Sequence, residues 1–277
     1  MPVLSRHRPA LILALVAAIA PAAHAADPTP ASTTTAPSSY GGTADRLFLS
    51  FAQDAAMVPS QWWEGQLEYA DGSDDLPVDV LTARAVVAFQ PIRNLEVGGR
   101  VGFATSDADP SLPDGSGATD LDVYGKWFWG GASSGTDFTA GVLATVPTGD
   151  DTAGLGFNSF SGQAFGAIRH RMESAIVGGH IGARFNGDGD FQGTPINGKE
   201  SFELGVAVVF PLANEVSLVG EARVETERFE GSDSTAEILA GINWKAFGRG
   251  MLRGAVSAGL TGAAPDFRVL VGYAYTF

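Results

Sequence analysis

The chain contains no cysteine, so no disulfide framework holds its fold. Stability has to come from a closed hydrogen-bond ladder or from an ordinary core. A basic excess is also missing. The formal charge is −14, and the leader described below takes two further positive charges with it. Such an acidic protein cannot hold phosphate backbones electrostatically, which argues against nucleic acid as a partner. Beyond residue 25 no apolar run approaches the roughly 20 residues of a membrane-spanning helix. A membrane protein is not thereby excluded, because a barrel strand turns only every second residue to lipid. Histidine is scarce: of the 4 in the chain, only His170 and His180 lie beyond the leader. Ser159, Ser161 and Ser174 are near them in sequence, but nothing sets a Ser-His-Asp arrangement, and there is no Gly-x-Ser-x-Gly elbow. The chain therefore reads as a non-enzyme without cofactor, with a lipid-modifying activity as a remote alternative.

The N-terminus supplies the compartment. Arg6 and Arg8 form a basic n-region, Ala10 to Ala20 an apolar run, and Ala23-His24-Ala25 a small-x-small cleavage site. This is the pattern of a signal peptide over residues 1–25, and it implies export. Residues 26–42 are rich in Pro, Ser, Thr and Ala, as expected of a flexible tether. Thr43 to Ser60 is compatible with an extra strand, a short periplasmic helix or a plug inserted into a lumen. The organisation expected is thus a leader (1–25), a tether with a plug or periplasmic segment (26–60) and a barrel (61–277).

From Gln61 onward, period-two alternation recurs over twelve stretches. They are 61–70, 79–89, 94–104, 118–129, 136–146, 159–171, 173–186, 200–210, 214–227, 235–246, 250–261 and 266–277. Their lengths centre on the roughly 9 to 11 residues with which a tilted strand crosses a bilayer, and bacterial single-chain barrels have even strand numbers. The last stretch is the clearest. Phe267, Val269, Val271, Tyr273, Tyr275 and Phe277 fall on one face, and Arg268, Leu270, Gly272, Ala274 and Thr276 on the other. Its aromatic end resembles the closing strand of a bacterial outer-membrane barrel, which implies recognition by the barrel-insertion machinery. With Phe277 at the periplasmic edge, the connections sort by length. Asp71–Val78, Thr105–Gly117, Pro147–Asn158, Gly187–Lys199, Arg228–Ser234 and Gly262–Pro265 fall outside; Gln90–Arg93, Gly130–Gly135, Met172, Pro211–Ala213 and Phe247–Arg249 fall inside. Long and short alternate almost throughout, as in outer-membrane barrels.

One parity carries no charge. Rows such as Leu81/Ala83/Ala85/Val87/Phe89 and Phe202/Leu204/Val206/Val208/Phe210 are suited to lipid. Aromatic residues gather at the row ends, and Trp63, Tyr69, Trp127, Trp129, Phe210, Trp244, Tyr273, Tyr275 and Phe277 are the candidates for the two membrane-interface girdles. The other parity collects Glu64, Glu68, Arg84, Glu96, Arg100, Asp120, Asp122, Lys126, Arg169, His180, Arg184, Glu203, Glu221, Arg223, Glu225, Glu237, Lys245, Arg253 and Arg268. Unpaired charges are too costly in a dry core. These residues are therefore candidates to line a lumen that is wet or laced by ion pairs.

Pro147-Thr148-Gly149-Asp150-Asp151 is followed by Gly154-Leu155-Gly156, and a strand ending in Phe210-Pro211-Leu212 precedes one starting at Val216-Ser217-Leu218. With the terminal Tyr-x-Tyr-x-Phe, this layout resembles a family of outer-membrane transporters labelled after the meta-pathway of phenol degradation (MetA-type). The resemblance implies a barrel that passes small molecules, aromatic ones among them, and it brings no binding residues with it. Asn186-Gly-Asp188-Gly-Asp190 begins like a calcium loop, but Phe191 and Asn197 stand where an EF-hand needs Gly and Glu. A solvated acidic loop is the default there, and no metal site is assigned. Weak divalent-cation binding near lipopolysaccharide by this loop and by Asp71, Asp74 and Asp75 is the alternative.

The expectation is an all-β, up-and-down antiparallel barrel of about twelve strands in the bacterial outer membrane, surrounded by lipid and lipopolysaccharide. About 8 strands leave an interior filled by side chains and 16 to 18 an aqueous channel. Twelve lies between, so the expected function is passive uptake of small solutes through a narrow, charged passage. A non-conducting structural or surface-interaction barrel is the alternative.

Overall fold

Closure decides this fold. In the computed structural model, which describes residues 46–58, 60–72, 78–108, 114–130, 135–213 and 215–277, the first and last long strands pair with each other. The leader, the tether, Asp74 and Asp75 lie outside the described residues. The strands found are β1 (Gln61–Ala70), β2 (Val78–Ile92), β3 (Leu95–Ala108), β4 (Gly115–Ala118), β5 (Leu121–Gly130), β6 (Thr136–Val146), β7 (Ser161–Arg171), β8 (Ile176–Asn186), β9 (Gly189–Phe191), β10 (Thr194–Ile196), β11 (Ser201–Ala213), β12 (Val216–Glu225), β13 (Thr235–Phe247), β14 (Gly250–Gly259) and β15 (Phe267–Thr276). Twelve of them form one antiparallel barrel in chain order, with β4 prolonging β5 along β3 and β9–β10 standing apart as a hairpin. At the seam Trp62 faces Thr276 and Ala70 faces Arg268. Among the described residues each of the twelve barrel strands is paired on both sides, so none of them is left as an edge to seek a partner.

The two faces of the wall are inverted relative to a water-soluble protein. On β11, Phe202, Leu204, Val206 and Phe210 are 45 to 64% exposed, while inward Ser201 and Glu203 are 0% and 3% exposed. An apolar outer belt around a polar interior matches a barrel whose solvent is lipid. Trp63, Trp127, Trp129, Trp244 and Phe277 are likewise exposed on the outer surface, and Tyr69, Tyr273 and Tyr275 are half-buried on the same parity.

The strand ends depart from the sequence pattern for identifiable reasons. Register shifts between Phe89 and Ile92 and between Pro211 and Ala213 contain prolines, which cannot donate to the ladder. A third shift lies between Trp244 and Phe247. The single-residue turn expected at Met172 spans four residues instead, closed by Met172 N donating to Ala175 O at 2.8 Å. The strand expected at 118–129 is broken at Thr119 and Asp120, where the chain is diverted to the 147–150 loop: Gly149 N donates to Asp120 Oδ1 at 2.9 Å and Asp150 N to Ala118 O at 3.2 Å. The long connection after β8 is not an open loop, because it folds into the β9–β10 hairpin. Gln192 and Gly193 both have positive φ there (49° and 76°), as a tight hairpin turn requires.

Large inward side chains lie flat over inward glycines. A Cβ at Gly98 would stand 2.6 Å from the Tyr124 ring, one at Gly205 2.0 Å from His180, and one at Gly241 2.6 Å from Phe48. Outward Gly65 has nothing within 4 Å of such an atom. Gly98→Val is therefore expected to destabilise the barrel by about 1–3 kcal/mol through overpacking, whereas Gly65→Ala leaves it unchanged. Thermal unfolding followed by heat-modifiable mobility on gels distinguishes them.

Candidate functional site

The lumen is filled at its turn end by residues 46–58. This stretch forms neither helix nor strand, so its buried amides and carbonyls need side-chain partners. The inner wall provides them. Glu221 accepts from the backbone N–H groups of Phe48 (2.5 Å), Leu49 (3.1 Å) and Ser50 (3.1 Å). Glu96 accepts from Val58 N at 2.6 Å and from the Tyr124 hydroxyl at 2.8 Å. Lys126 Nζ donates to the carbonyls of Asp54 and Ala56 at 2.7 and 2.9 Å. Arg253 donates to Arg46 O and Leu47 O at 3.1 and 2.7 Å, and forms a two-oxygen ion pair with Glu64.

The segment returns charge to the wall. Arg46 Nη2 lies 3.3 Å from Glu96, and Arg169 lies 3.2 Å from Asp54. Arg46 also donates to Ala56 O at 2.6 Å, folding the segment on itself. Its apolar side chains meet inward-facing wall residues in two clusters. Phe51 packs with Trp62, Tyr124 and Phe165, and Leu47 and Phe48 pack with Val209, Val219 and Leu239. The guanidinium of Arg253 sits 4.3 Å over the Phe48 ring, and that of Arg46 sits 4.1 Å over Phe51.

Toward the loop end the wall carries a belt of both signs. Glu68 receives Arg84 at 2.8 Å and Arg268 at 3.0 Å, and Arg268 reaches Glu237 at 3.2 Å. Arg223 lies 3.7 Å from the other oxygen of Glu237. Glu203 and Glu225 stand opposite each other on β11 and β12, an unfavourable pairing unless countered. Arg184 lies between them, 3.7 and 3.0 Å away, and His180 Nε2 is 2.7 Å from Glu203. The contacts through Arg184 Nε and Arg268 Nε lack hydrogen-bond geometry, so they act by charge. Beside Arg84, on β3 and β5, Arg100 pairs with Asp122, which also accepts from Thr145 at 2.7 Å.

The loops fold over the mouth. Asp150 Oδ1 caps Thr152 N and Ala153 N, and those hydrogen bonds, that from the Thr152 hydroxyl foremost, hold its carboxyl below the usual carboxylate range. The turn carries Ala153 and Leu155 inward against Ala104. Phe157 then contacts Phe191 and Phe229, with ring centroids 5.4 and 4.9 Å apart, and ties three loops together.

Of the lumen candidates, Glu64, Glu68, Glu96, Lys126, Arg169, His180, Glu203, Glu221, Glu225, Glu237 and Arg253 are buried, and Arg84, Arg100, Asp120, Asp122, Arg184, Arg223, Lys245 and Arg268 are intermediate. The structure divides them between the packed segment and the belt, with Asp120 drawn to the 147–150 loop and Lys245 at the turn end. Absent from that set, yet in contact with the segment, are Trp62, Tyr124, Gln163 and Asn243. Gln53 donates to Gln163 at 2.8 Å, and Asn243 donates to Arg46 O at 3.0 Å. Inward aromatics within an otherwise charged row were the signal that something apolar occupies the lumen. His180 is paired with Glu203, while exposed His170 contacts Thr136 at 2.8 Å. Among the described residues no group of three or more His, Asp or Glu could hold a metal ion; Asp188 instead accepts from Gly198 N at 2.9 Å.

An outer membrane channel from Pseudomonas putida F1 superposes with a TM-score of 0.66 at 16% identity, over 81% of this chain and 98% of that one. The fold is that of outer-membrane β-barrels. The KdgM porin matches with a TM-score of 0.54 at 10% identity, over 78% of this chain and 99% of the porin. No protein-family model and no curated protein matches the sequence.

Lys126 is fully buried between Glu96, 3.3 Å away, and two carbonyls of the segment. Removing one partner from a buried ion cluster costs about 3–5 kcal/mol. Lys126→Met should therefore release residues 46–58 before it weakens the barrel. Hydrogen exchange should show lost protection for amides such as Phe48 and Val58, with the strand amides of β11–β13 unchanged.

Proposed function

We propose that this protein is an outer-membrane channel for passive passage of small solutes, held here in a closed state by residues 46–58. The observation that carries this is the nature of the filling. A thirteen-residue stretch of irregular backbone occupies the interior and is held by hydrogen bonds and ion pairs, whereas narrow barrels are filled by the side chains of their own strands. A filling of this kind can leave without breaking the ladder. Past it, the belt from Glu68 to Arg268 presents both signs to whatever crosses, so selection rests on charge and constriction. The fold shared with an outer membrane channel and a porin supports the same class. The layout shared with the MetA-type transporters favours small hydrophobic or aromatic solutes among those that pass.

On this account the leader directs export, β15 engages the insertion machinery, and the outer belt sits among lipid and lipopolysaccharide. A second reading, a non-conducting structural barrel, has the two apolar clusters around Phe51 and Phe48 in its favour. Planar-bilayer recording separates the two. The full chain should be silent or flicker, and deletion of residues 26–58 should give steady conductance together with solute flux into liposomes. A deleted barrel that remains folded by heat-modifiability yet neither conducts nor admits solute would leave the structural reading standing.

A further inference from the structure

We infer that the cavity under the Pro147–Leu155 loop is a binding site for a small monocarboxylate with a short apolar body. This deepens the channel proposal by naming a solute class, and it rests on that proposal. The cavity has a volume of about 270 Å³ and lies in the loop half of the barrel, walled by β1, β2, β3 and β5 and roofed by Gly154 and Leu155. That volume falls just below the roughly 300–1,000 Å³ typical of sites for drug-sized ligands, which suits a smaller solute.

Its chemistry is two-sided. Val80, Ala104 and Leu155 give an apolar wall, and Arg84 and Arg100 bring two guanidinium groups to the same space. Carboxylates line it too, so the sign of the ligand is decided by which charges are accessible. The Arg100 and Arg84 side chains are 40% and 18% exposed, whereas Asp122 and Glu68 are 13% and 7% exposed. Arg100 lies deep in the barrel and is still accessible because it borders this cavity. The carboxylates are also the more committed groups. Asp122 accepts from Arg100 and Thr145, Glu68 from Arg84 and Arg268, and Asp120 from Gly149 N. Arg100 binds Asp122 through Nε and Nη2, which leaves the N–H groups of Nη1 outside that pair. A guanidinium suits an incoming carboxylate, which it can hold with paired hydrogen bonds. An ammonium would face two cations and carboxylates already in use.

The roof sets the size limit. Gly154 has φ +69°, and a Cβ there would lie 2.9 Å from the Gln192 side chain. The loop is thereby held down by the β9–β10 turn, whose Gln192 N donates to Asp151 O at 2.9 Å.

Isothermal titration of the full chain in detergent, with butyrate, 1-butanol and n-butylammonium as probes, tests the assignment without requiring flux. Butyrate should bind, and its neutral and cationic counterparts should bind at least roughly tenfold more weakly, the loss expected for one charge-assisted hydrogen bond. Arg100→Gln should weaken butyrate by the same factor or more. Ala104→Leu, which fills the apolar wall without touching a charge, should do so as well and serves if the first variant fails to fold. Lys199→Gln, at an exposed loop cation that pairs with Glu227 outside the cavity, should leave butyrate binding intact. Equal binding of the three probes, no binding of any, or butyrate binding unchanged in a folded Arg100→Gln or Ala104→Leu would overturn the assignment. Because conductance of the chain lacking residues 26–58 is measured separately, loss of this site would not be mistaken for loss of the channel.

Discussion

The obligation to pair every backbone polar group away from water governs this structure. The wall meets it by closing, since the β1–β15 seam gives each of the twelve barrel strands two neighbours and lipid offers no substitute partner. Residues 46–58 cannot meet it that way, because they carry no regular structure and sit where water is scarce. Their amides and carbonyls depend on Glu221, Glu96, Lys126 and Arg253, which must therefore point inward and be buried. Burying such ions is costly alone. It becomes tolerable because Glu96, Lys126 and Arg253 are each shared between a backbone group of the segment and an opposite charge, and Glu221 accepts three backbone N–H groups.

The barrel itself was legible in the sequence because period two is a local property. Phe202 to Phe210 alternate outward and Ser201 to Val209 inward whether or not the partner strands are known. What occupies the interior was not legible. Arg46 to Val58 has no period of its own, and the residues that hold it come from strands up to 207 positions away. Glu221 and Lys126 looked like channel-lining charges because parity reports only that a side chain points inward, not what it meets there. Tyr124, Phe128 and Phe165 are inward too, against the grain of a polar lumen, and Phe51 packs against Tyr124 and Phe165. The strand break at Asp120 was equally hidden, since the bond that stabilises it comes from Gly149 on another loop.

The two halves of the lumen divide the work of closure. At the turn end the block is made by chain, with apolar clusters and charge-to-backbone bonds. At the loop end it is made by side chains and folded loops, with the belt of paired charges under the Phe157 contact. Under the proposed channel function, a solute that passed the first block would still meet the second, a seal and a filter in series.

The position of the sealing segment along the chain bears on assembly. It runs directly into β1, the strand that must find β15 to complete the circle, and the belt contact between Glu68 and Arg268 across that seam joins residues 200 apart. Contacts this distant come at a high cost in loop entropy and form slowly. A barrel still open at the seam exposes its inner wall along the strand to which the segment is tethered. Seating the segment and zipping the seam are therefore neighbouring events in space and coupled through one stretch of chain. The cork is carried in by the first stave.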